Sequence, residues 1–276
     1  MNILITGAST GIGRVTAETL AKKGHRVWAG VRSEQVFREI QSLNIPTLIP
    51  VLLDVTISKS IEKAIDQVKN QCEGKLEALI NNAGIVVSGP VEVVPVDEWR
   101  RQFEVNFFGQ IAVIQSALPF LRDTRGRVIN VSSISGRISM PWMVPYSASK
   151  FALCALSDGL RRELHKYGIF VASIEPGPID TPIWDKSLAA GEKEMMSYDQ
   201  KKLDLYRSDL AVFQAHAKRS RDRASPVEHV VKAIEHALFS SSPKTRYPVG
   251  KGISVAALLA RVLPDKVLDW VVRKLA

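Results

Sequence analysis

Cysteine is scarce. The 276 residues hold two, Cys72 and Cys154, far apart and with no Cys or His at metal-ligand spacing around them. That excludes a disulfide framework and a zinc module, and no metal is expected. Long apolar runs are missing as well: none approaches the ~18 residues that cross a bilayer. A basic n-region leading into an apolar h-region is absent too. Met1 runs straight into Asn2-Ile3-Leu4-Ile5-Thr6-Gly7, which reads as a strand ending at a glycine turn. The expected location is cytoplasmic. Internal repeats and low-complexity linkers are lacking, and 46% hydrophobic with 24% charged residues excludes disordered and collagen-like chains. Acidic charge is in short supply: 37 Lys and Arg face 28 Asp and Glu, a net +9. This excess suits an anionic cofactor, an acidic membrane surface or nucleic acid. The basic run 218–223 brings no nucleic-acid-binding signature with it, so it reads as a solvated edge and no nucleic-acid partner is expected.

What is present is an alternation of strand and helix patterns. Apolar strands at residues 2–6, 26–31, 47–53, 76–81, 127–131, 169–175 and 245–249 alternate with helix patterns at 11–23, 33–41, 58–71, 97–122, 145–167 and 225–238. Gly24 and Gly168 end two of the helices, Asp97 reads as an N-cap, and Pro226 as a first-turn proline. The order predicts an α/β fold: a single-domain, doubly wound parallel sheet of about seven strands with helices on both faces. The domain is expected over residues 1–250, with a polar insertion at about 182–223 and a helical tail at 251–276.

Polar and glycine-rich motifs recur where these strands end. Thr6-Gly7-Ala8-Ser9-Thr10-Gly11-Ile12-Gly13 joins the first strand to its helix. A glycine turn there lets backbone N–H groups approach a pyrophosphate, and the helix N-terminus adds a favourable dipole. Asn81-Asn82-Ala83-Gly84 follows the fourth strand, and Asn106 lies in the long helix after it. Ser132-Ser133 follows the fifth strand, Tyr146-Ser147-Ala148-Ser149-Lys150 opens the next helix, and Pro176-Gly177-Pro178-Ile179-Asp180-Thr181 follows the sixth strand. Open α/β sheets bind ligands at this carboxyl end.

On these motifs the sequence resembles the short-chain dehydrogenase/reductase family over about residues 1–250. The resemblance implies a Rossmann-type fold, a nicotinamide cofactor, and a tetrad of Asn106, Ser133, Tyr146 and Lys150. The spacing of 13 residues to Tyr146 selects Ser133 over Ser132. It also implies that Gly7, Ser9, Thr10, Gly11, Ile12 and Gly13 hold the cofactor phosphates. Asn82, Ala83 and Gly84 support the sheet and the adenosine side, and Asp54 with Val55 contacts the adenine. Lys150 holds the nicotinamide ribose, Thr181 the carboxamide, with Pro176, Gly177 and Ile179 in the same segment. Asn106 anchors a relay water.

The residues support this chemistry directly. Tyr146 and Lys150 are four apart and share a helix face. A free tyrosine, with a pKa of about 10, is a poor acid–base catalyst at neutral pH. A neighbouring ammonium is expected to lower that pKa. The Ser133 hydroxyl can bond a substrate carbonyl or alkoxide. For the cofactor, an acid at the end of the second strand would bond a ribose 2′-hydroxyl. Val31 stands there instead, and Arg32 follows with a guanidinium suited to a phosphate. This favours NADP(H) as cofactor, with a solvated Arg32 and Glu34 serving NAD as the other reading.

The substrate side is quieter. The insertion carries Trp184, Met195, Met196, Tyr198, Tyr206 and Phe213, which suit either a lid over a bulky apolar substrate or packing of that lid onto the body. The segments Leu52-Leu53-Asp54-Val55-Thr56, Ser157-Asp158-Gly159-Leu160-Arg161-Arg162-Glu163-Leu164 and Ile174-Glu175-Pro176-Gly177 are most similar to the retinol dehydrogenase and 17β-hydroxysteroid dehydrogenase branch. That implies a lipophilic carbonyl or alcohol substrate: a retinoid, a steroid, or a long-chain aldehyde or ketone. A 3-oxoacyl-thioester reductase and a non-catalytic NADPH-sensing regulator are the alternatives. The tail places Val255, Leu258, Leu259, Val262 and Leu263 before Pro264, and Val267, Leu268, Trp270, Val271 and Leu275 after it. Two short basic amphipathic helices of this kind can pack on a neighbouring subunit, cover the pocket, or make peripheral contact with a membrane, packing on protein being favoured. Many members of the family are homotetramers, so a homodimer or homotetramer is expected.

Overall fold

The structure, a computed structural model, describes residues 1–181, 195 and 198–275. Seven strands, β1 (Asn2–Ile5), β2 (Arg26–Val31), β3 (Leu48–Leu52), β4 (Ala78–Asn81), β5 (Arg127–Val131), β6 (Phe170–Pro176) and β7 (Arg246–Val249), pair in parallel in the order β3-β2-β1-β4-β5-β6-β7. The order reverses between β1 and β4, and such a reversal opens a crevice at the carboxyl ends of the strands.

Successive residues of each strand feed opposite cores, as the pleat requires. Ile3 and Ile5 join Val27, Ala29, Ile80, Leu20, Val230 and Ile234 on one face. That face is covered by α1 (Gly11–Lys22) and the later helix at Val227–Phe239. Leu4, between them, joins Trp28, Leu79, Val128, Ile61, Val68, Val113 and Leu121 on the other, covered by α3 (Ser58–Gln71) and α5 (Gly109–Asp123). Each fully buried Leu or Ile contributes about 1.5–3 kcal/mol, so the double core anchors the strand ends that carry the motifs. The remaining helices among the described residues are α2 (Glu34–Gln41), α4 (Val96–Phe103), α6 (Val144–Leu164), α7 (Gln200–Asp204), α8 (Arg207–Asp222), α9 (Val227–Phe239), α10 (Ile253–Val262) and α11 (Asp265–Leu275).

Beyond shifts of one to three residues at other element ends, three features differ from the sequence reading. Asp97 is not a cap: Pro95, in an extended conformation at φ −59°, ends the preceding segment, and Asp97 sits inside the first turn of α4 with its carboxylate on Arg100. The expected single helix to residue 122 is split by a π-helical turn, Glu104–Phe108, between α4 and α5. Pro226 precedes α9 as its N-cap and does not lie in its first turn, while Ser225 bridges to Ile179.

The second half of the expected lid is helical and attached to the body. Tyr198, Leu203 and Leu210 pack with Val87, Val93 and Val94, and Met195, Tyr206, Trp99 and Trp142 lie against that cluster. Tyr206 also donates to Glu92 at 2.7 Å. Met195, Tyr198 and Tyr206 therefore do the packing work that the sequence left open beside a substrate role. Phe213 lies in α8 and is half-buried. Trp184 and Met196 lie outside the described residues.

Candidate active site

The turn after β1 is shaped by glycine. Gly7 has φ +66°, and a Cβ there would meet the Ala83 backbone at 2.7 Å. A Cβ on Gly13 would collide with the Gly7 carbonyl and the Asn82 amide. Asn82 is the fastener: its Nδ2 donates to the carbonyls of Thr6 and Gly7 at 3.0 and 2.9 Å. The Thr6 hydroxyl accepts from the N–H groups of Asn82 and Ala83. Thr10 precedes α1 in an extended conformation without a side-chain cap, and the first turn holds no acidic residue. The N–H groups of that turn, with the helix dipole behind them, suit a pyrophosphate.

A cleft of about 360 Å³ runs from this turn to α6. Of the residues read from sequence, it is lined by Gly7, Ser9, Thr10, Gly11, Ile12, Arg32, Asp54, Val55, Asn82, Ala83, Gly84, Tyr146, Lys150 and Thr181. Arg32 stands exposed on its wall at the end of β2, beyond the buried Val31. Its guanidinium has no carboxylate partner among the described residues. A Cβ on Gly11 would lie 3.3 Å from Thr181, which places Thr181 over the glycine turn. One Asp54 oxygen accepts from the N–H and hydroxyl of Thr56 at 2.9 and 2.7 Å. A glycine cradle, an uncapped helix start and an unpartnered guanidinium on one cleft fit a phosphorylated dinucleotide.

Other expected contacts hold the cleft together from behind. Gly13 is packed under the turn. The Pro176 carbonyl accepts from Ser133 Oγ at 3.3 Å, the Gly177 N–H donates to Val249, and Ile179 is buried in the core. Asn106 is fully buried within the π-helical turn. Its Oδ1 accepts from the Ile85 N–H at 2.8 Å, and its Nδ2 donates to the Ile85 carbonyl and to Ser149 Oγ. That amide braces the segment after β4 and leaves no side-chain donor for a water.

Tyr146 and Lys150 point from the first turns of α6 toward the end of β5. The Ser133 hydroxyl lies beside the Tyr146 phenol. Burial pushes the phenol above its ordinary value, and the neighbouring Ser133 hydroxyl pulls it only part of the way back. Lys150 Nζ lies 5.7 Å from the Tyr146 ring centroid and donates to the Val131 carbonyl at 2.9 Å. Burial pushes its pKa down to about 8. The expected lowering of the tyrosine by its lysine neighbour is thus reversed, because desolvation acts on both groups and the ammonium points at a carbonyl. A methyl on Gly84 would stand 3.4 Å from Asn106 Oδ1 and 3.8 Å from Lys150 Nζ, so these groups converge.

Three further features escaped the sequence reading. Gly30, Leu53, Ile85, Val86, Val105 and Val131 also line the cleft, close to motif residues in the chain, and so does Ser132, which the sequence reading set aside for Ser133; Ser133 itself stands just behind the lining. Arg101 reaches it from α4, paired with Glu98; only the tertiary packing of α4 brings it there. Behind Ser133 lies a buried carboxylate. Glu175, fully enclosed, receives Arg137 Nε at 2.6 Å and Arg246 Nη1 at 2.7 Å, and Arg246 also binds Asp158. Arg137 follows the 3₁₀ turn that Ser133 opens.

A family model described as short chain dehydrogenase matches residues 1–191. The chain belongs to the short-chain dehydrogenase family. It is an oxidoreductase of that family, and curated relatives extend the likeness beyond the matched region. An NADPH-dependent 3-dehydrocapnine reductase of Ornithobacterium rhinotracheale is 33% identical, over 98% of this chain and 95% of its own. Estradiol 17-beta-dehydrogenase 2 of Mus musculus is 32% identical, over 99% of this chain and 74% of its own. A short chain dehydrogenase from Burkholderia cenocepacia, solved in complex with NADP, is 26% identical with a TM-score of 0.75, covering 98% of this chain and 96% of that one. In this short-chain dehydrogenase the seven-stranded parallel sheet is the one the sequence predicts.

Proposed function

We propose that the protein is an NADP(H)-dependent oxidoreductase that interconverts a carbonyl and an alcohol on a lipophilic substrate. The observation that carries this reading is Tyr146, with Lys150 beside it and the Ser133 hydroxyl next to its phenol, on the same cleft as the glycine turn and Arg32. Gly7, Ser9, Thr10, Gly11, Ile12 and the N-terminus of α1 would hold the pyrophosphate, and Arg32 the 2′-phosphate. Thr181 and Lys150 would bind the nicotinamide end, and Asp54 the adenine. The bound cofactor supplies or accepts the hydride. Ser133 donates a hydrogen bond to the substrate oxygen and fixes it beside Tyr146. Tyr146, kept protonated by burial, gives its proton to that oxygen as alkoxide character develops. Such a phenol is poised as an acid, so reduction is the favoured direction near neutral pH. Lys150 places positive charge below the phenol and supports the phenolate left behind.

The lipophilic substrate class rests on the apolar wall that Ile85, Val86 and Val105 give the cleft and on likeness to estradiol 17-beta-dehydrogenase 2. A homodimer or homotetramer belongs to the same reading. The test is a panel of retinal, steroid ketones, long-chain aldehydes and acetoacetyl thioesters, followed by NADPH consumption. Turnover is expected with the lipophilic carbonyls. Turnover with the thioester alone would make it a 3-oxoacyl-thioester reductase, and NADPH binding with no turnover at all would make it a sensor. The variant Arg32→Asp is expected to weaken NADPH far more than NADH, and equal effects on both would refute the phosphate role.

A further inference from the structure

α10 begins three residues beyond the end of β7, at the carboxyl edge of the sheet where the cleft opens. Ile253 anchors it there: a Cβ on Gly177 would collide with the Ile253 side chain, and Ala257 is buried with it. Among the described residues the opposite stripe has no partner. Val255, Leu258 and Val262 are each about 60% exposed, and Leu259 lies among them. Their spacing of three and four residues puts them on one helix face. Beyond Pro264, Val267 and Trp270 are also exposed. No tail residue lines the cleft, so covering the pocket is not the stripe's role. Nor is it a spanning segment, because no helix among the described residues is long and apolar enough to cross a membrane.

The charge around the stripe identifies its partner. Lys251, Arg261, Lys266, Arg273 and Lys274 flank it, against Asp265 and Asp269 alone. Lys274 Nζ lies 4.1 Å from the Trp270 ring, next to an indole of the kind that settles at lipid headgroups. Isolated exposed hydrophobics need no explanation, but a helical stripe rimmed by one sign of charge does. We propose that α10 and α11 form a docking surface for an anionic lipid bilayer, with the stripe entering the interface and the basic residues meeting the headgroups. A second protein copy would lay this cationic rim against an identical cationic rim. The surface is rooted at the same edge as the cleft, so docking brings the cleft mouth near the lipid phase. This inference stands on α10 and α11 and does not require the substrate assignment above.

The test is cosedimentation of the full chain with vesicles of phosphatidylcholine, alone or mixed with phosphatidylglycerol. Binding is expected to the anionic vesicles and to weaken as salt rises. Lys266→Gln/Arg273→Gln is expected to reduce partitioning by about 25-fold, since each basic residue near such a surface is worth about fivefold, and the exposed pair Leu258→Ser/Val262→Ser to reduce it on the order of tenfold through lost apolar burial. Reduction of a water-soluble carbonyl is expected to stay unchanged in both, which separates this proposal from the reductase reading. Absence of binding to anionic vesicles overturns it. So does equal binding by wild type and both variants, or a concentration-dependent self-association that the Leu258→Ser/Val262→Ser variant abolishes while vesicles remain unbound.

Discussion

Lys150 is the residue on which the electrostatics of the cleft turn. Its folded-state pKa of about 8 lies below the ordinary 10.5. The charged form is therefore penalised on folding, fully so below pH 8, and the penalty is relieved as pH rises from about 8 to 10.5. Two outcomes follow. Reduction is expected to decline as pH rises through about 8, when the ammonium is lost, and a flat profile to pH 9.5 (roughly one and a half units above the midpoint) would contradict a role for that charge. Lys150→Met is expected to unfold at higher denaturant at pH 7 while losing activity. The gain is bounded by about 3 kcal/mol, the equivalent of the pKa depression. Glu175 acts one layer further back. Arg137 ties the turn after Ser133 to the end of β6, and Arg246 ties that end to β7. Glu175→Gln, which keeps the shape and removes the charge, is expected to lower kcat more than it raises KM. Glu175→Asp should recover part of the loss; matched effects on both constants would mark the residue as structural only.

At the scale of elements, the glycine turn and the first turn of α6 show what sequence can and cannot report. Gly7 and Gly13 are legible because a Cβ at either would strike neighbouring backbone, a constraint that residue type records directly. Gly13→Ala is expected to weaken NADPH binding and lower the melting temperature together, and a variant with intact binding would contradict the close packing of α1 beneath the turn. Tyr146 and Lys150 are equally legible as types at helix spacing. Their pKa directions are not, because burial against β5 is a tertiary property that spacing does not contain. The π-helical turn holding Asn106 was missed for a related reason. It widens the hydrogen-bond register between α4 and α5 without a residue type that marks it, whereas Pro95 moves a boundary visibly. Glu175 reads as an oddity in an apolar strand, and its partners Arg137 and Arg246 are distant in the chain.

At the scale of the molecule, the alternation of apolar strands and amphipathic helices by itself determines a parallel sheet. Period-two burial sends Ile3 and Ile5 to one core and Leu4 to the other. The double core then fixes every motif at the carboxyl ends of the strands. The net charge of +9 now has locations: Arg32 on the cleft wall, the edge of α8, and the rim of α10 and α11. Substrate identity is less legible, since the lid residues Met195, Tyr198 and Tyr206 are spent on packing against the body. The central claim concerns proton transfer at Tyr146, and the most direct measurement is NADPH oxidation by Tyr146→Phe with the best carbonyl from the panel, beside its NADPH affinity. The account predicts unchanged affinity and a rate lower by about 10²–10⁴-fold; undiminished reduction by this variant would contradict it.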